Sequence, residues 1–163
     1  MAINVFPAPA AGKTRFVTTL TSGTSYTVPA GVTYLNVTLR GGGGGGGGAT
    51  QAGQAAYGAG GAVISSTLSA TAGASIAYTI GAGGVAGQVT NNSNGQTGGT
   101  TTFTGATSAT GGVGGASVGA DFSPGASLVN AQNNGGNGSR YQTSPDKIGG
   151  TGGSGSIDIE YWA

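Results

Sequence analysis

Two carboxylates, Asp158 and Glu160, stand one residue apart in the segment Ser-Ile-Asp-Ile-Glu-Tyr near the C-terminus. Alternation along a strand would place both on one face, roughly 7 Å apart. A carboxylate pair at about that separation could hydrolyse a glycosidic bond. The plainer reading is a solvated strand face whose acids are paired with Arg40 or Lys147. Gly12-Lys13-Thr14 matches the tail of a phosphate-binding loop. That pattern, however, needs glycine where Pro7 stands, and Pro9 removes a backbone amide. Ser154 lies in Gly-Gly-Ser-Gly-Ser rather than in a strand-to-helix elbow, and the chain has no histidine to activate it. Asp121, Asp146, Asp158 and Glu160 do not fall at calcium-loop spacing. Cysteine is absent too, which excludes disulfides and thiolate metal sites. Enzyme activity, a metal site and a cofactor are therefore not expected.

Recognition is better served. Tyr57, Tyr141 and Trp162 sit in or beside glycine-rich or polar stretches, and exposed aromatics on a rigid surface suit stacking on sugars or packing against a protein. The tracts 91–96 (NNSNGQ) and 130–141 (NAQNNGGNGSRY) supply dense amide donors and acceptors, as adaptable binding loops do. Tyr57, Asn92, Asn94, Asn133, Arg140 and Tyr141 are thus candidate receptor contacts. For the Asn tracts, plain turn chemistry is the competing reading, since Asn-Gly favours hairpin turns. Residues 1–14 read as an extended arm, because Pro7 and Pro9 forbid a helix. Ile3, Val5 and Phe6 could dock there as an apolar hook onto a partner, or the arm could be a loosely attached terminus.

The elements that must position these residues are strands. The clearest is 33–40 (TYLNVTLR), where Leu35, Val37 and Leu39 alternate with Tyr34, Asn36, Thr38 and Arg40. Similar short runs are 15–20, 25–28, 62–68, 75–80, 100–104, 106–109 and 156–161. In 75–80, Ile76, Tyr78 and Ile80 share a face; in 156–161, Ile157, Ile159 and Tyr161 oppose Asp158 and Glu160. No segment combines helical periodicity with good helix formers, and Thr, Ser and Gly are weak inside helices. The chain is expected to be all-β, with one glycine-rich β-domain, 15–163, behind the arm 1–14.

Glycine supplies 38 of the 163 residues, eight of them consecutive at 41–48. Ordering eight residues costs on the order of 8–16 kcal/mol, and glycine has no side chain to bury in return. Yet glycine-rich tracts recur after strand-like segments, at 41–61, 81–87, 111–119, 135–138 and 149–155, which one linker would not do. Meeting in space, they could pack as left-handed extended helices of about three residues per turn and 3.1 Å rise. Without Cβ atoms in the way, their amides could bond laterally, which satisfies the backbone. Floppy surface loops are the alternative. An apolar fraction of 36% with only five basic and four acidic residues argues for a folded chain. A net charge of +1 without a basic patch gives no support to a nucleic-acid partner and little protection against self-association. No apolar run approaches the roughly 20 residues of a membrane span, and no charged segment precedes an apolar core at the N-terminus, so neither membrane insertion nor a signal peptide is expected.

The order of these features carries a resemblance. Tyr26-Thr-Val-Pro-Ala-Gly-Val32, Leu35-Asn-Val-Thr-Leu39 and then the polyglycine run open it. Gly60-Gly-Ala-Val-Ile64, Ile76-Ala-Tyr-Thr-Ile-Gly-Ala-Gly-Gly84, Gly98-Gly-Thr-Thr-Thr-Phe103, Ala109-Thr-Gly-Gly112 and Gly155-Ser-Ile-Asp-Ile-Glu-Tyr161 continue it. Over about residues 16–161 the chain resembles the glycine-rich domain of bacteriophage tail-fibre and related virion proteins. The resemblance implies a small antiparallel β-sandwich with ordered glycine-rich loops, exposed on the virion surface as a fibre tip or attached knob. Other virion proteins and a bacterial surface glycan or protein would be its partners. Because only a short arm precedes the domain, any shaft would be another protein. A homotrimer is expected, since phage fibres are commonly three-fold and a chain this small buries limited surface alone. Two alternatives stay open: a capsid decoration protein clamped by its arm, and a glycan-cleaving tail enzyme using Asp158 and Glu160.

Overall fold

Strict apolar alternation makes a strand bury one face and wet the other, and that pattern organises the whole molecule. The computed structural model describes residues 12–48, 56–88, 93–117 and 150–163. Within them are seven strands: β1 Arg15–Leu20, β2 Ser25–Thr27, β3 Tyr34–Arg40, β4 Val63–Ser69, β5 Ser75–Thr79, β6 Thr102–Phe103 and β7 Ser156–Trp162. One antiparallel sheet has the order β1-β7-β3-β4 and the other β2-β5-β6. The described residues contain no helix, and the two sheets form a small β-sandwich, as expected.

Leu35, Val37 and Leu39 of β3 and Ile157 and Ile159 of β7 are all fully buried between the sheets. Opposite them stand Tyr78 and Phe103, stacked with ring centroids 6.4 Å apart, and Tyr26, tilted against Phe103 at the same distance. The Tyr26 phenol oxygen is buried without a partner among the described residues, and burial, with a smaller effect from Tyr161, pushes its pKa up to about 12. Tyr78 instead donates to the Ser22 carbonyl at 2.6 Å. Gly23 beside it has φ +96°, and any Cβ there would strike that phenol oxygen. One strand expectation fails: 106–109 reduces to a single bridge, Thr101 to Ala109, because residues 104–106 turn at Gly105, where φ is +92°.

Beyond one end of the sandwich, six glycine-rich segments prolong the strands. Segment 41–48 runs out from β3, 81–88 from beyond β5 and 111–117 from beyond Ala109. Segments 56–62, 93–99 and 150–155 run back in to β4, β6 and β7. All eight N–H groups of 41–48 donate to backbone carbonyls at 2.8–3.0 Å. Their targets rotate with each residue: Gly44 bonds Ala59, Gly45 bonds Gln96, Gly46 bonds Gly150, and Gly47 returns to the first segment at Ala56. A partner that recurs every third residue means a three-fold helix, which is the polyglycine geometry expected.

The neighbours are bonded to one another as well. Around the central run the order is 56–62, 111–117, 93–99, 81–88 and 150–155, joined by bonds such as Ala59 to Val113, Gly98 to Gly112, Gln96 to Val85 and Gly152 to Gly84 at 2.8–2.9 Å. Inbound segments are antiparallel to the centre and outbound ones parallel. Gly42 and Gly45 also accept from Gly112 and Gly115, and Gly43 and Gly46 from Gly84 and Gly87. Residues 41–48 are buried throughout. A buried backbone group left unpaired costs about 1–3 kcal/mol, so this lateral bonding is the condition for order in a run with no side chains.

Candidate functional site

The cassette gives the molecule two poles. Thr14 exchanges backbone hydrogen bonds with Ala163 at 3.0 and 3.1 Å, at the end of the sandwich opposite the glycine segments. At this base Phe16, Val17 and Tyr34 are 43%, 54% and 54% exposed. At the far pole, described residues stop at Gly48, Ala56, Gln88, Ser93 and Ser117, each at the outer end of its segment. The described residues that flank 49–55, 89–92 and 118–149 therefore all lie toward that pole. Eight residues at about 3.1 Å each put it ~25 Å beyond the sandwich.

Two candidate receptor contacts fall within the described residues, and both lie at the far pole. Tyr57 is 44% exposed next to the start of its inbound segment. Asn94 is exposed, and its Oδ1 accepts from the Ser117 amide at 2.7 Å and from the Ser117 hydroxyl at 3.0 Å. Asn94 thus ties segment 93–99 to 111–117, and Asn94 and Gly95 lie within an extended segment rather than in the turn that Asn-Gly suggests. Asn92, Asn133, Arg140 and Tyr141 lie outside the described residues, as do Ile3, Val5 and Phe6 of the arm.

The carboxylate pair sits elsewhere, on the outer face of the four-stranded sheet. Asp158 accepts from Arg40 at 2.5 Å and from the Thr19 hydroxyl at 2.7 Å, while Glu160 is paired with Arg15. Partial burial pushes the Asp158 carboxyl up, but hydrogen bonds from Thr19 and Arg40, with the charge of Arg40, outweigh it and leave the group below its ordinary range. Such a group takes up its proton first in the unfolded chain, whose carboxyl titrates near 3.9. Its contribution is complete above that pH and is lost as pH falls through the lower folded value. The side chains are about one third exposed, so screening limits the effect to about 1 kcal/mol or less. Urea midpoints of the wild type should fall between pH 5 and pH 2 by more than those of Asp158→Asn.

The joint between sandwich and cassette rests on Thr101, whose side chain is fully buried. Its hydroxyl donates to the Arg40 carbonyl at 2.7 Å and accepts from the Gly81 amide at 3.0 Å, so one side chain links the starts of two outbound segments. Thr101→Val keeps the shape but takes the acceptor from the Gly81 amide and one donor from the Arg40 carbonyl. It should cost about 2–4 kcal/mol, visible as a lower urea midpoint and faster hydrogen exchange at Gly81.

Neither Thr101 nor the cassette's register drew notice as sites in the sequence, although a signal for the register exists. Gly81, Gly84 and Gly87 are buried while Ala82, Val85 and Gln88 between them are exposed, and Gly112 and Gly115 repeat the pattern. Glycine at every third position marks the inner edge of a three-fold helix. Among the described residues no group of His, Cys, Asp and Glu could hold a metal ion, and no helix is long and apolar enough to cross a membrane. A family model described as a glycine-rich domain matches residues 18–161. No curated protein matches the chain.

Proposed function

This chain belongs to the glycine-rich domain family, and we propose that it serves as a non-enzymatic structural protein on the surface of a bacteriophage particle, a fibre tip or knob that contributes to host attachment. The observation that carries this reading is the two-pole geometry. Thr14 and Ala163 lie at the base, and the described residues that flank 49–55, 89–92 and 118–149 lie toward the opposite end, beyond a spacer held by main-chain bonds. A protein that must hold on at one end and touch a cell at the other needs such a separation. The engagement of Asp158 and Glu160 by arginines supports a structural rather than a catalytic use of that face.

In this reading Ile3, Val5 and Phe6 seat the arm on another virion protein, three copies assemble, and the far pole meets a bacterial surface glycan or protein. Immunogold electron microscopy of intact virions tests it directly. Gold at the tail or fibre tips is expected, with loss of the chain from particles when residues 1–12 are deleted. Gold spread over the head would instead make the chain a capsid decoration protein and end the attachment reading. Native mass spectrometry of the isolated protein should give three chains.

A further inference from the structure

A cavity of about 290 Å³ lies where the outer face of the four-stranded sheet meets the cassette. Gly41 and Gly61 form part of its lining, and Thr19, Arg40, Ser154 and Ser156 bring polar groups to it. Its size is near the lower end for small-molecule sites, enough for one pyranose ring. Gly41, Gly61 and Gly155 are themselves buried and give the cavity a main-chain wall with no side chains to fill it. The Ser154 hydroxyl can donate and accept, Thr19, which donates to Asp158, can still accept, and Ser156, which accepts from Arg40 at 3.5 Å, can still donate. Arg40 has five N–H donors, of which only those on Nη1 are engaged, by Asp158 and Ser156. Asp158 also offsets the charge of Arg40, so the cavity favours a neutral polyhydroxylated ligand over an anion.

We propose that this cavity is a binding site for a single neutral hexose unit of a glycan, separate from the far pole. It rests on the attachment reading for its biological sense, but its chemistry does not. The site lies about the length of the cassette away from Tyr57 and Asn94, and it uses residues that hold the sandwich and cassette together. A glycan engaged there would run along the side of the molecule rather than across its tip.

NMR titration of the full chain with methyl α-glucopyranoside, methyl α-galactopyranoside and, separately, inorganic phosphate tests the proposal. At least one glycoside should give saturable shifts at the amides of Gly41, Gly61, Gly155 and Ser156, and phosphate should give none there. Ser154 is exposed, so Ser154→Leu should fill the cavity without touching the core and abolish those shifts. Thr19→Val, which removes one hydroxyl, should weaken glycoside binding about fivefold. Asp158→Asn uncovers the Arg40 charge and should bring phosphate shifts into the same amides. No saturable shift with either glycoside would overturn the proposal, as would phosphate binding to the wild type or a titration indifferent to Ser154→Leu. The titration reads the isolated protein and the gold label reads the particle, so the two proposals fail separately.

Discussion

Gly45→Ala should leave a chain that does not fold. A Cβ on Gly45 would lie 2.5 Å from the Val85 carbonyl carbon and 2.8 Å from the Gly84 oxygen, both main-chain atoms. Neither can swing aside as a side chain would, because Val85 accepts from Gln96 at 2.8 Å and Gly84 both donates to Gly43 and accepts from Gly152. Relief would mean moving 81–88 as a body and parting bonds to three segments at once. The loss should exceed about 5 kcal/mol, the scale of the whole stability of an ordinary domain. Val113→Ala, on the outside of the same cassette at 68% exposure, should change stability by about 0.5 kcal/mol or less. Circular dichroism melts and dispersed amide spectra of the two variants read the contrast. If Gly45→Ala melts cooperatively within a few degrees of the wild type, the run is not enclosed as described.

Phe103→Ala should be the most damaging side-chain truncation in the sandwich, at about 3–5 kcal/mol. Phe103 is the largest fully buried side chain among the described residues, 1% exposed, and β6 contributes only two residues to its sheet. The ring therefore holds an edge strand that backbone pairing alone supports weakly, with only Tyr78 to Phe103 and Thr79 to Thr102 in register. It also separates Tyr26 from Tyr78, both of which contact it as aromatic neighbours. At about 2–4 °C per kcal/mol for a domain of this size, the melting temperature should fall by roughly 10 °C. Phe103→Leu should lose less than half as much. Urea titrations at neutral pH, analysed for midpoint and slope together, would separate a cavity from a loosened sheet.

The sandwich was legible because its strands obey a two-residue period. In β3 and β7 the apolar residues Leu35, Val37, Leu39, Ile157 and Ile159 are the buried ones, while Tyr161 on the same predicted face is only partly buried, and the predicted ends fall within a residue of those observed. Asp158 pairing with Arg40 was legible too, since both had to face outward from strands near each other. Less of the cassette could be read. That glycine tracts would pack was inferable from their recurrence, but which tract is central and which neighbours it meets was not. Those choices are written in bonds between carbonyls and amides far apart in sequence, such as Gly43 with Gly153, and no side chain announces them. Asn94 shows the same limit: its partner Ser117 is 23 residues away, so turn chemistry and binding chemistry looked alike. The 106–109 segment misled because four residues of strand-like composition followed a glycine that reverses the chain.

The closing of the polyglycine run has a consequence in time. Gly43 and Gly46 find their acceptors at Gly153 and Gly150, more than a hundred residues downstream and almost at the end of the chain. β3 likewise pairs with β7 as well as with β4. No amount of early local structure can substitute for these partners, so the first third of the chain waits, with bare amides in water, for the last segment to be synthesised. Folding of this kind is governed by loop closure and belongs among slow, non-local topologies, in the range of milliseconds to seconds. Once the last segment has arrived, escape requires breaking bonds to several segments together. A protein slow to assemble and slow to come apart keeps its fold where nothing is at hand to refold or replace it.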